Sequence, residues 1–384
     1  MASFALHPEQ VEDYGRTEDD QLVELVTIKL DQQGDTPLAQ ISTYGAALVK
    51  CLIPGRNDNG EITNTDVVLG YEDLSAYERN PPSFGVIIGR VAGRIQYGRF
   101  IVPNSGVPCE VSKNMNGRHC IHGGFKGLSH VIWKIIRITG HSVLLRYTSP
   151  NGEDGFPGTL QVDVEYSFRR IAEGIILNID YDASLTASPK ASCPINLTNH
   201  TYWNLAGHSA GRTELANHMV YIDADRYVET SLPDLIPTGR IVDIEPKSLY
   251  DLRVLRSVKP GLEGVGDPKR PGYDTYYVFN QHLTPNIPYA TVIHPGSGRR
   301  MRLFTDQPGV QFYTANHLGD KSDPVGKHGQ HYESQSALCL EAQGYPDACN
   351  QPNFPMNVVC SGSETYKQRT SYLFDIDEQV AHSS

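Results

Sequence analysis

Glu341, in the stretch ALCLEAQGYPDACN, is a carboxylate set in an apolar, strand-like run. Side chains alternate along a strand, so Leu338 and Leu340 take one face and Ala337, Cys339 and Glu341 take the other. A carboxylate flanked by small side chains has room beside it for something other than protein. The stretch NLTNHTYWNLAGH, residues 196–208, sorts in the same way. Asn196, Thr198, His200, Tyr202 and Asn204 share one face, and Leu197, Asn199, Thr201, Trp203 and Leu205 share the other. The first face carries only hydrogen-bonding groups, and one of them, His200, belongs to the residue type that titrates near neutral pH.

Similar polar residues sit in strand-like surroundings elsewhere. They are Arg90 and Arg94 in IIGRVAGRI, His122 before GG, Asp274 in PGYDTYY and Gln311 in PGVQFYT. Each alone reads as a satisfied buried polar group. A carboxylate, two histidines, an arginine, an amide and a tyrosine together form the lining a sugar needs, with many donors and acceptors around a small ring.

The elements that must position these residues are strands. Leu160, Val162, Val164, Tyr166 and Phe168 alternate in TLQVDVEYSFR, and Leu177, Ile179, Tyr181 and Ala183 alternate in IILNIDYDASL. RRIAEG between them reads as a hairpin loop. VIWKIIRITGHSVLLRYTS reads as a further strand pair. Three-turn helices are absent from the pattern; a short helix fits Leu74–Arg79 and ends at NPP. The Gly/Pro-rich segments 261–272 and 320–333 read as long surface loops. With 35 Gly, 25 Pro and 21 Tyr in 384 residues, the composition suits many short strands joined by turns. The expected fold is all-β: sheets of one large antiparallel sandwich packed face to face, with few short helices, forming a single domain over residues 1–384.

A net charge of −11 argues against a nucleic-acid partner, which requires a basic surface. The first residues carry neither a basic n-region nor an apolar h-region, and no apolar run approaches the ~20 residues that cross a bilayer, so a cytoplasmic protein with no membrane partner is expected. Seven scattered cysteines without a CxxC pair read as reduced thiols. GHSAG (207–211) matches a nucleophile elbow but lacks the long helix that should follow. His119, Cys120 and His122 cluster without a second group to complete a metal site. The glycines of GLEGVGDP do not join a strand to a helix as a dinucleotide site requires.

Taken together, FGVIIGRVAGRI, IHGGFKGLSHVIW, SPNGEDGFPGTLQVDVEYSF, LTNHTYWNLAGH, GYDTYYVF, TDQPGVQFYTAN and LEAQGYPDACNQPNFP resemble the aldose 1-epimerase (galactose mutarotase) family, in its order and across about Leu22 to Phe374. The resemblance implies the large antiparallel β-sandwich, with short extensions at both ends. It also implies Glu341 as general base and His200 as general acid. Arg94, His122, Tyr202, Asp274 and Gln311 would bind the sugar. Where the family usually has NRI this chain has GRI, so Gly93 replaces an asparagine and leaves a hole of a few atoms.

Interconverting anomers requires opening the ring at C1–O5, turning about C1–C2 and closing on the other face. One group takes the O1 proton while another delivers a proton to O5. A glutamate raised toward neutrality by an apolar strand can be the base, and a histidine near 6.5 can hold the acid's proton. No redox step is involved, so no metal and no cofactor are expected. The partner is a free aldohexose, and the protein is expected as a monomer or homodimer. The competing readings are a sugar-phosphate epimerase, a sugar-binding regulator without turnover, and the same pocket turned to acid–base isomerisation of a non-sugar metabolite.

Overall fold

The computed structural model describes residues 10–31, 36–186, 191–281, 286–362 and 365–377. Three large antiparallel sheets dominate it. The first is a five-stranded meander of Val11–Arg16, Leu22–Lys29, Leu38–Ser42, Leu48–Arg56 and Ile62–Asp66. The expected N-terminal extension is therefore partly sheet: Val11–Arg16 pairs with Leu22–Lys29. Residues 1–9 and 378–384 of the extensions lie outside the described residues.

The second sheet has nine strands. Lys134–Thr139, Ser142–Ser149, Thr159–Ile171 and Gly174–Thr186 run in chain order, followed by Tyr366–Ile376 and then Arg299–Thr305, Ala290–Ile293, Met219–Ile222 and Arg256–Ser257. Thr159–Ile171 alternates between buried and half-buried residues over most of its length, as a strand with one face in a core does. The hairpin that follows is tighter than the sequence suggests. Ladder pairing continues to Ile171↔Gly174, which leaves only residues 172–173 to turn.

The third sheet orders Ile236–Asp243, Ala224–Ser231, Asp274–Phe279, Gly309–Tyr313 and Cys339–Gln343. Alternation gives it two different faces. Val310, Phe312, Leu340 and Tyr277 join the main apolar core, which also holds Leu177, Tyr372 and Phe374 of the nine-stranded sheet. The two layers are tied by hydrogen bonds as well as by apolar contact. Tyr372 Oη donates to Leu340 O at 2.8 Å, and Gln368 Nε2 donates to Ala342 O at 3.0 Å. The opposite face of the third sheet carries Asp274, Gln311 and Glu341 and borders a cavity.

Helices are short, and Leu74–Arg79 forms where the sequence places it. Segment 261–272 differs from the expected loop. Lys259–Gly264 is a helix with proline in its first turn, where the missing N–H costs nothing, and Gly266–Asp267 then pairs with Arg270–Pro271. Segment 320–333 also differs, because Lys327 is buried within it. Among the described residues no helix is long and apolar enough to cross a membrane, and no disulfide joins any of the seven cysteines.

Candidate active site

Three site residues come from the open face of the third sheet by register alone. Gln311 stands opposite Glu341 on the neighbouring strand and opposite Tyr276 on the other side. Asp274 stands opposite Tyr313, which stands opposite Cys339. Cross-strand partners point the same way, so one polar patch forms from strands distant in sequence. Asp274 fixes it: Arg94 Nη2 donates to its Oδ2 at 3.3 Å, and Gln311 Nε2 donates to its Oδ1.

The other residues arrive on irregular backbone. Residues 196–208 do not form one long strand. Thr198–Asn199 pairs with Ile87–Ile88, and single bridges join Trp203 to Val68 and Leu338. The two faces expected of it survive nonetheless. Leu197, Trp203 and Leu205 enter the main core, while Tyr202 packs in a second apolar cluster with Cys339 and Tyr313. His200 is pinned by its backbone, its N–H donating to Val86 O and its carbonyl accepting from Gly85 N, both at 3.0 Å. Arg94 lies in a two-residue strand opposite Ile121. His122 follows in the left-handed region, at φ 53°, where a non-glycine residue is strained. The His122 N–H donates to Gly93 O at 3.0 Å and Gly93 N–H donates to His122 Nδ1 at 3.4 Å, which holds that conformation. Gly123 must be glycine, since a Cβ there would lie 1.8 Å from the Gly89 carbonyl oxygen.

These elements enclose a cavity of about 570 Å³ lined by all seven of the sequence-predicted site residues. At its wall, His200 Nε2 lies 3.5 Å from Glu341 Oε1, with side chains 6% and 3% exposed. The His122 ring meets the His200 ring edge-on at 5.3 Å. Tyr202 stacks on His200 at 5.1 Å, and its hydroxyl donates to Pro82 O at 2.8 Å.

Burial governs the electrostatics. It pushes the Glu341 carboxyl well above its usual range, reinforced by Asp274 and opposed by Arg94. Burial also lowers His200, to about 4. This corrects the expectation of an ordinary imidazole near 6.5: taking a cation out of water favours the neutral ring. Burial, His200 and Arg94 together hold His122 well below its normal value. Both shifts favour the uncharged forms, a protonated carboxyl and a neutral imidazole, so burial favours Glu341 over His200 as the holder of a proton shared by the pair. A pair carrying one proton can take a proton at one atom and give one at another.

Two residues grouped with this set in the sequence serve the framework. Arg90 is buried outside the cavity, where its guanidinium donates to Ser149 Oγ and to the carbonyls of Ser149, Pro150, Pro157 and Gly158. Asn204 donates to Ser336 O at 2.9 Å. Ser209 of GHSAG is exposed outside the cavity, ahead of the six-residue helix Gly211–Ala216. His119, Cys120 and His122 do not converge. Among the described residues, the group presenting metal-type ligand atoms within 4.8 Å is His200, Cys339 and Glu341. Cys339 Sγ approaches His200 Nδ1 at 3.7 Å. Sequence reasoning passed over Cys339, Tyr313 and Gln343 as site residues. The alternation that singled out Glu341 places Cys339 and Gln343 on the same face.

Residues 27–373 match the family model described as aldose 1-epimerase. The galactose mutarotase of Mus musculus is 35% identical over 348 residues, covering 91% of this chain and 94% of that protein. The human galactose mutarotase is 34% identical over the same length and coverage. A solved aldose epimerase homologue from C. elegans superposes with a TM-score of 0.79 at 27% identity, covering 92% of this chain and all of that one.

Proposed function

The chain belongs to the aldose 1-epimerase family, and on that premise we propose that it interconverts the α and β anomers of a free aldohexose such as galactose or glucose, with Glu341 and His200 as the proton-transfer pair. The observation that carries this reading is the approach of His200 Nε2 to Glu341 Oε1 at 3.5 Å, both buried at the wall of a cavity of about 570 Å³.

Glu341 takes the proton from O1 as the C1–O5 bond breaks, and His200 gives a proton to O5. The open-chain aldehyde turns about C1–C2. Closure returns the O5 proton to His200 and the Glu341 proton to O1, so no proton is gained or lost. Each transfer typically contributes 10²–10⁴-fold. Burial favours the proton on Glu341 over His200, and contacts made by the sugar offset that preference. Sugar hydroxyls that hydrogen-bond to the carboxylate favour its ionised form, and Asp274 favours the imidazolium.

Arg94, His122, Asp274 and Gln311 hold the ring hydroxyls. His122, kept neutral by burial, can donate from Nε2 because Nδ1 accepts from Gly93 N–H. Tyr202, expected from the sequence to bind the sugar, lines the same cavity, but its hydroxyl already donates to Pro82 O, and its stacked ring orients His200. The single-domain reading is supported by an apolar core that draws residues from all three large sheets. The test is the relaxation of optical rotation of fresh α-D-galactose or α-D-glucose with and without protein. Acceleration is expected, and saturable sugar binding without acceleration would leave only a sugar-binding protein.

A further inference from the structure

Gln343 lies two residues beyond Glu341 on the strand Cys339–Gln343 and therefore faces the same cavity. Its backbone is fixed: it stands opposite Gly309 in the ladder, and its carbonyl accepts from Tyr276 Oη at 2.9 Å. Only 1% of the residue is exposed, yet the side-chain Oε1 is buried with no hydrogen-bond partner. Buried polar atoms are nearly always paired. An amide left short of partners at the wall of a substrate cavity gains one when a polar ligand enters.

Gly93 explains why that amide is bare. A Cβ at position 93 would lie 3.7 Å from Gln343 Nε2 and 3.3 Å from Pro346 Cβ. A polar side chain there would reach Gln343 Nε2, whereas glycine leaves that edge of the amide uncovered. The backbone at 93, with φ 73°, suits glycine and, among other residues, asparagine best.

We propose that Gln343 is a sugar-binding, specificity-determining residue: its side-chain amide hydrogen-bonds a ring hydroxyl remote from C1, along the edge that glycine at 93 leaves uncovered. The hydroxyl is remote because Glu341 must meet O1, and two residues of strand separate their Cα atoms by roughly 6.7 Å. The inference rests on the anomerase reading of the same cavity.

The experiment measures kcat and KM by polarimetry for wild type, Gln343→Met and Gly93→Asn on galactose, glucose and their 2-, 3-, 4- and 6-deoxy analogues. Methionine keeps the length and removes both hydrogen-bonding atoms. Gln343→Met should raise KM about tenfold, the worth of one hydrogen bond, with kcat falling by less. One deoxy analogue should carry a raised KM in wild type and show no further rise in Gln343→Met, since the two changes remove the same contact. Gly93→Asn should raise KM on the parent sugars by occupying the amide. An unchanged KM in Gln343→Met, or an equal penalty on every analogue, overturns the proposal. If Gln343→Met does not fold, an unchanged KM in Gly93→Asn overturns it alone. A wild-type protein that accelerates no sugar sinks the anomerase reading itself, a result distinct from these.

Discussion

His200 presents its two ring nitrogens to two neighbours on one strand: Nε2 lies 3.5 Å from Glu341 Oε1, and Nδ1 lies 3.7 Å from Cys339 Sγ. Because Cys339 and Glu341 are two residues apart, a single sheet face grips both edges of the imidazole. The ring is further stacked on Tyr202, so its orientation is set before any sugar arrives.

The pair should give a two-sided pH profile. Below about pH 4, where His200 takes up a second proton, no group remains to accept from O1. Above the raised value of Glu341 both members are deprotonated and none can give a proton to O5. We expect kcat/KM to fall on both the acid and the alkaline side. These limbs belong to the pair as a unit. A single acid limb at an ordinary carboxylate value, with no alkaline loss, contradicts the assignment.

Tyr202 should act through its ring. Its hydroxyl is engaged by Pro82 O, so Tyr202→Phe is expected to lower stability by about 0.5–1.5 kcal/mol as a half-buried carbonyl loses its donor, with KM within about twofold. Chemical denaturation and steady-state kinetics read the two effects. A tenfold rise in KM would instead assign the hydroxyl to the sugar.

Asp274 gathers Arg94 and Gln311. Asp274→Ala should release both side chains and raise KM by at least about tenfold, given 1.5–3 kcal/mol for a hydrogen bond to a charged group. An unchanged KM across hexoses would remove this cluster from sugar binding.

Lys327 and Asp66 form an ion pair at 2.7 Å with side chains only 4% and 9% exposed, and Lys327 Nζ also donates to Val68 O. Lys327→Met leaves the carboxylate buried without its counter-ion and should cost about 3–5 kcal/mol. Adding Asp66→Asn, which keeps an acceptor for the N–H groups of Cys51 and Val68, should recover part of the loss in the melting temperature. No recovery in the double variant would show that the pair is not the cause.

Much of this was legible because alternation is a local signal. The two faces around Leu340 and Glu341, and those around His200 and Trp203, follow from spacing alone. Other features depend on distant partners. Lys327 lies in a glycine- and proline-rich segment, and its burial is set by Asp66. Arg299–Thr305 and Gly309–Tyr313 are separated by three residues yet belong to different sheets, a choice made by packing and not by the turn. The depression of His200 likewise reflects the depth of the cavity, which spacing does not report. Gln343 was within reach of the alternation, but its orphaned oxygen was not.

The central claim is that Glu341 and His200 carry the two proton transfers. It is tested most directly by single-variant turnover of Glu341→Gln and His200→Asn, measured by polarimetry on folded protein. Each should lower kcat at least about 100-fold with native secondary structure retained. Near-wild-type turnover in either variant would contradict the account.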